Sequence, residues 1–226
     1  MLSLLLGLAL AETPPVAAEM HARFQAAMQA RNHVIQGDLE RAKQQAQELL
    51  AVNTVPEGAP ESWKAPIATI STHATALAAA DDVGTAAAAM ANIAGACGSC
   101  HGATNGGPGL EGMRGVPPQR WSEGDNMPLH LWAVDWMWLG LIGPSDEAWS
   151  RGAAELDSEP LARKFGADET TAKPMEDALY ALAKKAATLG SDQHAERTAV
   201  VGELLSTCAS CHVLRDKATP TPPKEP

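Results

Sequence analysis

Aromatic residues are scarce in this 226-residue chain: two Phe, one Tyr and six Trp. Alanine is abundant instead, a balance that favours helices over sheets. Dense clusters of Lys or Arg are missing too, and the formal net charge is −10. That argues against binding a nucleic-acid backbone. An acidic surface gives solubility and favours docking to basic partners. There is no P-loop, dinucleotide fingerprint or nucleophile elbow. No run of residues is long and apolar enough to be read as a transmembrane helix. Cysteine is absent outside two short motifs.

What is there begins with Met1 to Ala11, MLSLLLGLALA, a short apolar run ending in an A-x-A pattern. It reads as a signal peptide without its usual positive start, and so as a mark of export. The alternatives are an uncleaved anchor or an ordinary buried segment. The length suits one large domain or two small ones.

From Met20 to Val52, apolar residues recur at three- and four-residue intervals, as a helix requires. Gly37-Asp38 interrupts the pattern, and Asp38 can cap a second helix. A third helix is expected from about Ser62 to Ala80, with Pro66 in its first turn. Asp81-Asp82 caps a fourth, which ends in Cys97-Gly98-Ser99-Cys100-His101. A Gly- and Pro-rich linker follows. The series then recurs, with breaks at Gly143-Pro144-Ser145, Lys173-Pro174 and Ser191-Asp192, and ends in Cys208-Ala209-Ser210-Cys211-His212. Met20 and Met127, and Ile35 and Ile142, are 107 residues apart; Pro66 and Pro174 are 108 apart; Cys97 and Cys208 are 111 apart. This drift fits a tandem duplication with a few loop insertions.

The chemistry rests on the two motifs. Paired thiols three residues apart, followed directly by His, form the pattern of c-type haem attachment. Each thiol adds to one vinyl group and the histidine binds iron. On a helix the two sulfurs and the imidazole share one face. A single all-thiolate zinc site, redox dithiols or two structural disulfides would also use four cysteines. None of these accounts for a histidine after both second cysteines. We therefore expect two covalently bound haem c groups, held by Cys97, Cys100, Cys208 and Cys211, with His101 and His212 as axial ligands.

A sixth ligand decides between an electron carrier and an open iron. His21 and His130 each follow a matched methionine at the start of a unit, so they are the expected second ligands, with Met20 and Met127 as runners-up. The plain alternative is that they are helix-end or core histidines. His33, His73 and His194 have no matched partner and read as ordinary residues. Glu19 and Asp135 lie near the candidate ligands in sequence. Five of the six Trp fall between Trp121 and Trp149, where packing is the expected role.

At this point each unit, four helices with CxxCH at the end of the last, resembles the class II cytochromes, whose fold is a helix bundle. In class I cytochromes the motif lies near the domain start, whereas only 14 residues follow His212. The stretch CHGATNGGPGLEG, from Cys100, has some class I character. MHARFQAAMQARNHVIQGDLERAKQQA and HLWAVDWMWLGLIGPSDEAWSRGAAEL resemble bacterial cytochrome c-like proteins of poorly defined role. The resemblance spans about Met20 to His212. It implies bundles that often pair as dimers, with haem that either shuttles electrons or binds small gases.

The expectation is an all-α protein of two tandem four-helix-bundle-like units. Residues 1–18 form the signal peptide and lead-in, 19–102 the first haem-binding unit, 103–126 the linker, 127–213 the second unit and 214–226 a disordered tail. The expected role is periplasmic carriage of single electrons between redox proteins, with the two haems close enough to exchange electrons. The rivals are a gas-binding haem protein and a di-haem redox enzyme, peroxidase-like or thiosulfate-oxidising.

Overall fold

Helix is the regular structure throughout the residues that the computed structural model describes: 15–110, 113, 115–118, 127–157 and 169–218. The expected signal peptide and the last part of the expected tail lie outside them. Eight α-helices follow in order: α1 (Pro15–Ile35), α2 (Leu39–Val52), α3 (Lys64–Ala78), α4 (Val83–Thr104), α5 (Met127–Ile142), α6 (Asp146–Leu156), α7 (Glu169–Ala187) and α8 (His194–Ala218). Single 3-10 turns precede α3 and α8.

Local chemistry explains the breaks. Gly37 adopts φ +72°, the left-handed region that a Cβ would strain, and turns the chain from α1 to α2. Asp38 then accepts from the Arg41 amide as the N-cap of α2. Asp82 accepts from the Thr85 amide at 2.8 Å and starts α4. That bond holds the Asp82 carboxyl below its usual range. Ser145 caps α6 through the Ala148 amide. Three boundaries differ from the sequence reading. Helix α7 begins five residues before Pro174 and runs through it, giving up one backbone bond. Helix α1 begins at Pro15, and α8 continues to Ala218, into the stretch read as a disordered tail.

Successive helices pack in two runs, α1 to α4 and α5 to α8, and α4 against α8 joins them. Small residues let these two helices approach closely. A Cβ added to Gly95 would fall 2.6 Å from the Thr198 hydroxyl, and Gly84 faces Ser206. Residue numbers rise along one helix as they fall along the other, so the pair is antiparallel. This sets the two CxxCH motifs at opposite ends. Thirteen residues separate Cys97 from the level of Ser206, which is about 20 Å at 1.5 Å per residue. The motifs therefore do not stand side by side.

Helices α1 and α5 cross both α4 and α8. Contrary to the expectation from the sequence, α4 is long and apolar enough, by length and composition, to cross a membrane. Here it is the central helix, in contact with α1, α2, α3, α5 and α8. Among the described linker residues Leu110 is buried, packed with Trp136 and Ala148, whereas Met113 and Val116 are exposed; the Arg151 guanidinium lies 4.7 Å from the Trp136 ring centroid.

Candidate functional site

Both motifs occupy the closing turns of long helices, Cys97 to His101 in α4 and Cys208 to His212 in α8. None of the four cysteines is in a disulfide. As whole residues all four keep some exposure. The Cys97 and Cys208 thiols nevertheless sit deep enough that burial pushes each pKa up to about 12. The neighbouring cysteine of each pair adds to the rise, while Arg23 and Arg31 respectively oppose it. Thiols with so raised a pKa stay protonated at neutral pH, unlike redox dithiols, whose pKa is depressed. Among the described residues no three His, Cys, Asp or Glu side chains gather where they could hold a metal ion. The four cysteines thus remain two separate pairs.

His101 is held on two sides. Its Nδ1 lies 2.8 Å from the Ile142 carbonyl at the end of α5. Because the carbonyl can only accept, Nδ1 donates this bond, and in the neutral ring that leaves the lone pair on Nε2. Gly107 presses on the ring: a Cβ there would fall 2.7 Å from the His101 Cγ. Gly98, inside the motif, takes the closest approach of all, with the Leu141 carbonyl 2.1 Å from where its Cβ would be. In the second motif the relation runs the other way. Ala209 carries the side chain, and Gly37, at the end of α1, makes the room beside Ala209 and Val213. Each motif is thus covered by the C-terminal end of the first helix from the other run.

Two arginines of α1 complete the surroundings. Arg23, 6% exposed, donates to Met20 Sδ at 3.2 Å, to Glu19 and to the Thr54 carbonyl. It is close enough to Cys97 and Cys100 for their charges to interact. Arg31, 1% exposed, pairs with Asp135 and Asn32 and interacts likewise with Cys208. Burial lowers both guanidinium pKa values, and the carboxylates partly offset this. The Nε atoms of both arginines and Nη1 of Arg31 are buried without a hydrogen-bond partner. So Glu19 and Asp135, the two carboxylates near the candidate ligands, are each engaged by a buried cation.

The remaining candidates fall in contrasting places. His21 is exposed, within 3.3 Å of Gln25, whereas His130 is buried at 5% exposure. Met20 is drawn toward Arg23, and Met127 opens α5 partly buried. His212 is partly buried in α8. His33 is partly buried on α1, and His194 Nε2 lies 2.8 Å from the Gly95 carbonyl. A groove of about 800 Å³ runs between α3, α4 and the start of α8, lined by Pro66, Thr69, His73, Ser99, Cys100 and His194 among others. A smaller one of about 480 Å³ lies between α7 and α8, beside Ala181, Lys185, Glu203 and Ser206.

The sequence reading missed Arg23 and Arg31. A signal was present: at the 107-residue offset the mate of the buried His130 is Arg23, not His21, and the mate of Trp138 is Arg31. The chain matches no protein-family model, no curated protein and no solved structure.

Proposed function

We propose that the chain is a c-type cytochrome with two covalently attached haems, built from two repeated four-helix units, that passes single electrons between protein partners outside the cytoplasm. The observation that carries this reading is the duplicated motif closing α4 and α8, with the His101 Nδ1 proton committed to a backbone carbonyl. That leaves Nε2 as an iron ligand in the way metal-bound histidines are held. Buried guanidinium nitrogens without partners beside both first cysteines, and a ligand-sized groove beside Cys100, also fit a bulky group carrying acceptors.

Cys97 and Cys100, and Cys208 and Cys211, would each hold one haem. Each thiol adds across one vinyl group, forming one C–S and one C–H bond with nothing released. The bound iron supplies a one-electron couple: one electron enters from a reduced partner and one leaves to an oxidised partner. The burial pattern favours His130 as the sixth ligand of one haem. For the other it favours Met20, held inward by Arg23, over the exposed His21. The duplication is supported by matched surroundings as well as matched motifs. The two grooves use equivalent positions: His73 and Ala181 are 108 apart, and Asn92 and Glu203, and Gly95 and Ser206, are 111 apart.

The test is to express the full chain with haem-maturation machinery, measure haem per chain by mass and absorbance, and record oxidised, reduced and CO-exposed spectra. Two haems with low-spin bands and no rapid CO change are expected. A chain without covalent haem overturns the reading. The unlike settings of His21 and His130 favour a second reading, in which one haem is five-coordinate and binds a small gas. Rapid CO binding to half the haem would select it.

A further inference from the structure

The groove of about 800 Å³ between α3, α4 and the start of α8 has no Asp, Glu, Lys or Arg among its described lining residues. Small apolar residues, among them Ala65, Pro66, Gly95, Ala96 and Ala195, leave its walls flat. Two histidines line it from different walls, His73 on α3 and His194 on α8. Several hydrogens there are already committed. His194 Nε2 lies 2.8 Å from the Gly95 carbonyl and donates to it, so Nδ1 of the neutral ring is an acceptor. The hydroxyls of Thr69, Thr104 and Thr198 donate to carbonyls of their own helices, which leaves their oxygens to accept. A pocket of this size and lining takes a small molecule that a few polar groups orient. The molecule it suits is flat, uncharged and supplies its own donor hydrogens.

The groove meets the first motif at Cys100, while Cys97 and His101 lie outside its lining. At about 3.6 residues per turn, Ala96, Ser99 and Ala103 fall more than a quarter turn from Cys97 and His101 on α4. A ligand there leaves the haem-holding face free and still ends beside Cys100. We propose that the groove binds a hydroquinone, an uncharged aromatic diol, as an electron donor to the chain. This rests on the di-haem reading. Oxidation of one hydroquinone to its quinone releases two electrons and two protons. The electrons reduce two ferric irons to ferrous, one per motif, and His73 and His194 accept the O–H protons on their way to solvent. The repeat makes the site one-sided. At offsets of 108 and 111, the mates of His73 and His194 are Ala181 and Val83. In the groove between α7 and α8, Lys185 and Glu203 form an ion pair at 3.8 Å instead.

The probe is tetramethylhydroquinone, whose ring methyls keep its oxidised form from adding thiols. Anaerobic equilibrium dialysis against the dithionite-reduced full chain, matured with haem, should show one saturable site. His73→Leu and His194→Leu should each weaken binding about tenfold, the loss of one hydrogen bond. Ala103→Phe, at the exposed rim of the groove, blocks the site without touching the core and should abolish binding even if His194→Leu fails to fold. Glu203→Gln, in the other groove, should change nothing. Tetramethylquinone, which has no O–H, should bind more weakly than the diol. In stopped flow, reduction of the oxidised chain by the diol should saturate with concentration and slow in Ala103→Phe, while reduction by dithionite stays the same. Two bound haems with no saturable binding overturn the proposal and leave the functional reading standing. Equal binding by every variant, or by quinone and diol alike, also overturns it. Saturable binding that Ala103→Phe abolishes, on a chain without covalent haem, keeps the site and sinks the functional reading.

Discussion

At the scale of single residues, covering a side chain and freeing it have opposite chemical effects. The Cys97 and Cys208 thiols rise from an ordinary 9.0 to about 12 because burial disfavours the thiolate. Three pH units mean roughly a thousandfold less thiolate. In the haem-free chain, alkylation at pH 8 should therefore reach Cys97 and Cys208 roughly a thousandfold more slowly than a free cysteine. Peptide mass mapping over time checks this; equal rates would show that the thiols are open. Gly98 is the tightest residue of the first motif. Gly98→Ala would drive a methyl into the Leu141 backbone and the His194 ring. Overpacking against backbone should cost about 3 kcal/mol, read as a lower melting temperature. Ala209→Gly, at the matching position, should cost only about 1 kcal/mol, as a glycine inside a helix does.

Elements are held to one another by a few large side chains. Trp149 of α6 is fully buried, donates through Nε1 to the Ala186 carbonyl of α7 at 2.8 Å, and faces the Arg197 guanidinium of α8 at 4.9 Å. Arg197 in turn pairs with Asp146 at the start of α6 and donates to the Leu189 carbonyl. Burial alone would raise the Asp146 carboxyl, but Arg197 and Ser191 outweigh it and hold it below the usual range. Trp149→Ala would remove three helices' common anchor. The expected loss is about 3–5 kcal/mol in denaturant unfolding. A loss below 1 kcal/mol would mean that α6, α7 and α8 are fastened elsewhere.

Across the whole molecule the two runs of helices are interlocked. Helix α4 lies on α8, the end of α5 covers His101, and the end of α1 covers Ala209. One cooperative unfolding transition is therefore expected, with coincident far-ultraviolet and tryptophan signals. Its stability should depend on pH in a defined direction. Cys97 and Cys208 have raised pKa values when folded, so their contribution is intact below pH 9 and is lost as pH climbs toward about 12. The haem-free chain should weaken over that window in pH-dependent melts. Cys97→Ala with Cys208→Ala should flatten the decline. An unchanged slope would remove the thiols as its cause.

Much of the architecture was legible along the chain because helices announce themselves locally. The caps at Asp38, Asp82 and Ser145, the break at Gly37 and the four-residue recurrence of apolar positions are short-range signals, and they appear where expected. The two CxxCH motifs are likewise local, since i, i+3 and i+4 on a helix need no tertiary contact to share a face. Periodicity names the face of a helix but not the partner or the direction that will cover it. Only packing decided that α4 and α8 run antiparallel, which separates the motifs by about 20 Å rather than bringing them together. Only packing exposed His21, buried His130, and turned Arg23 and Arg31 inward beside the cysteines. The helices, their caps and the two CxxCH motifs follow from the local order of residues. The tertiary structure decided what stands around each motif, because burial and charge are properties of neighbours brought together from distant parts of the chain.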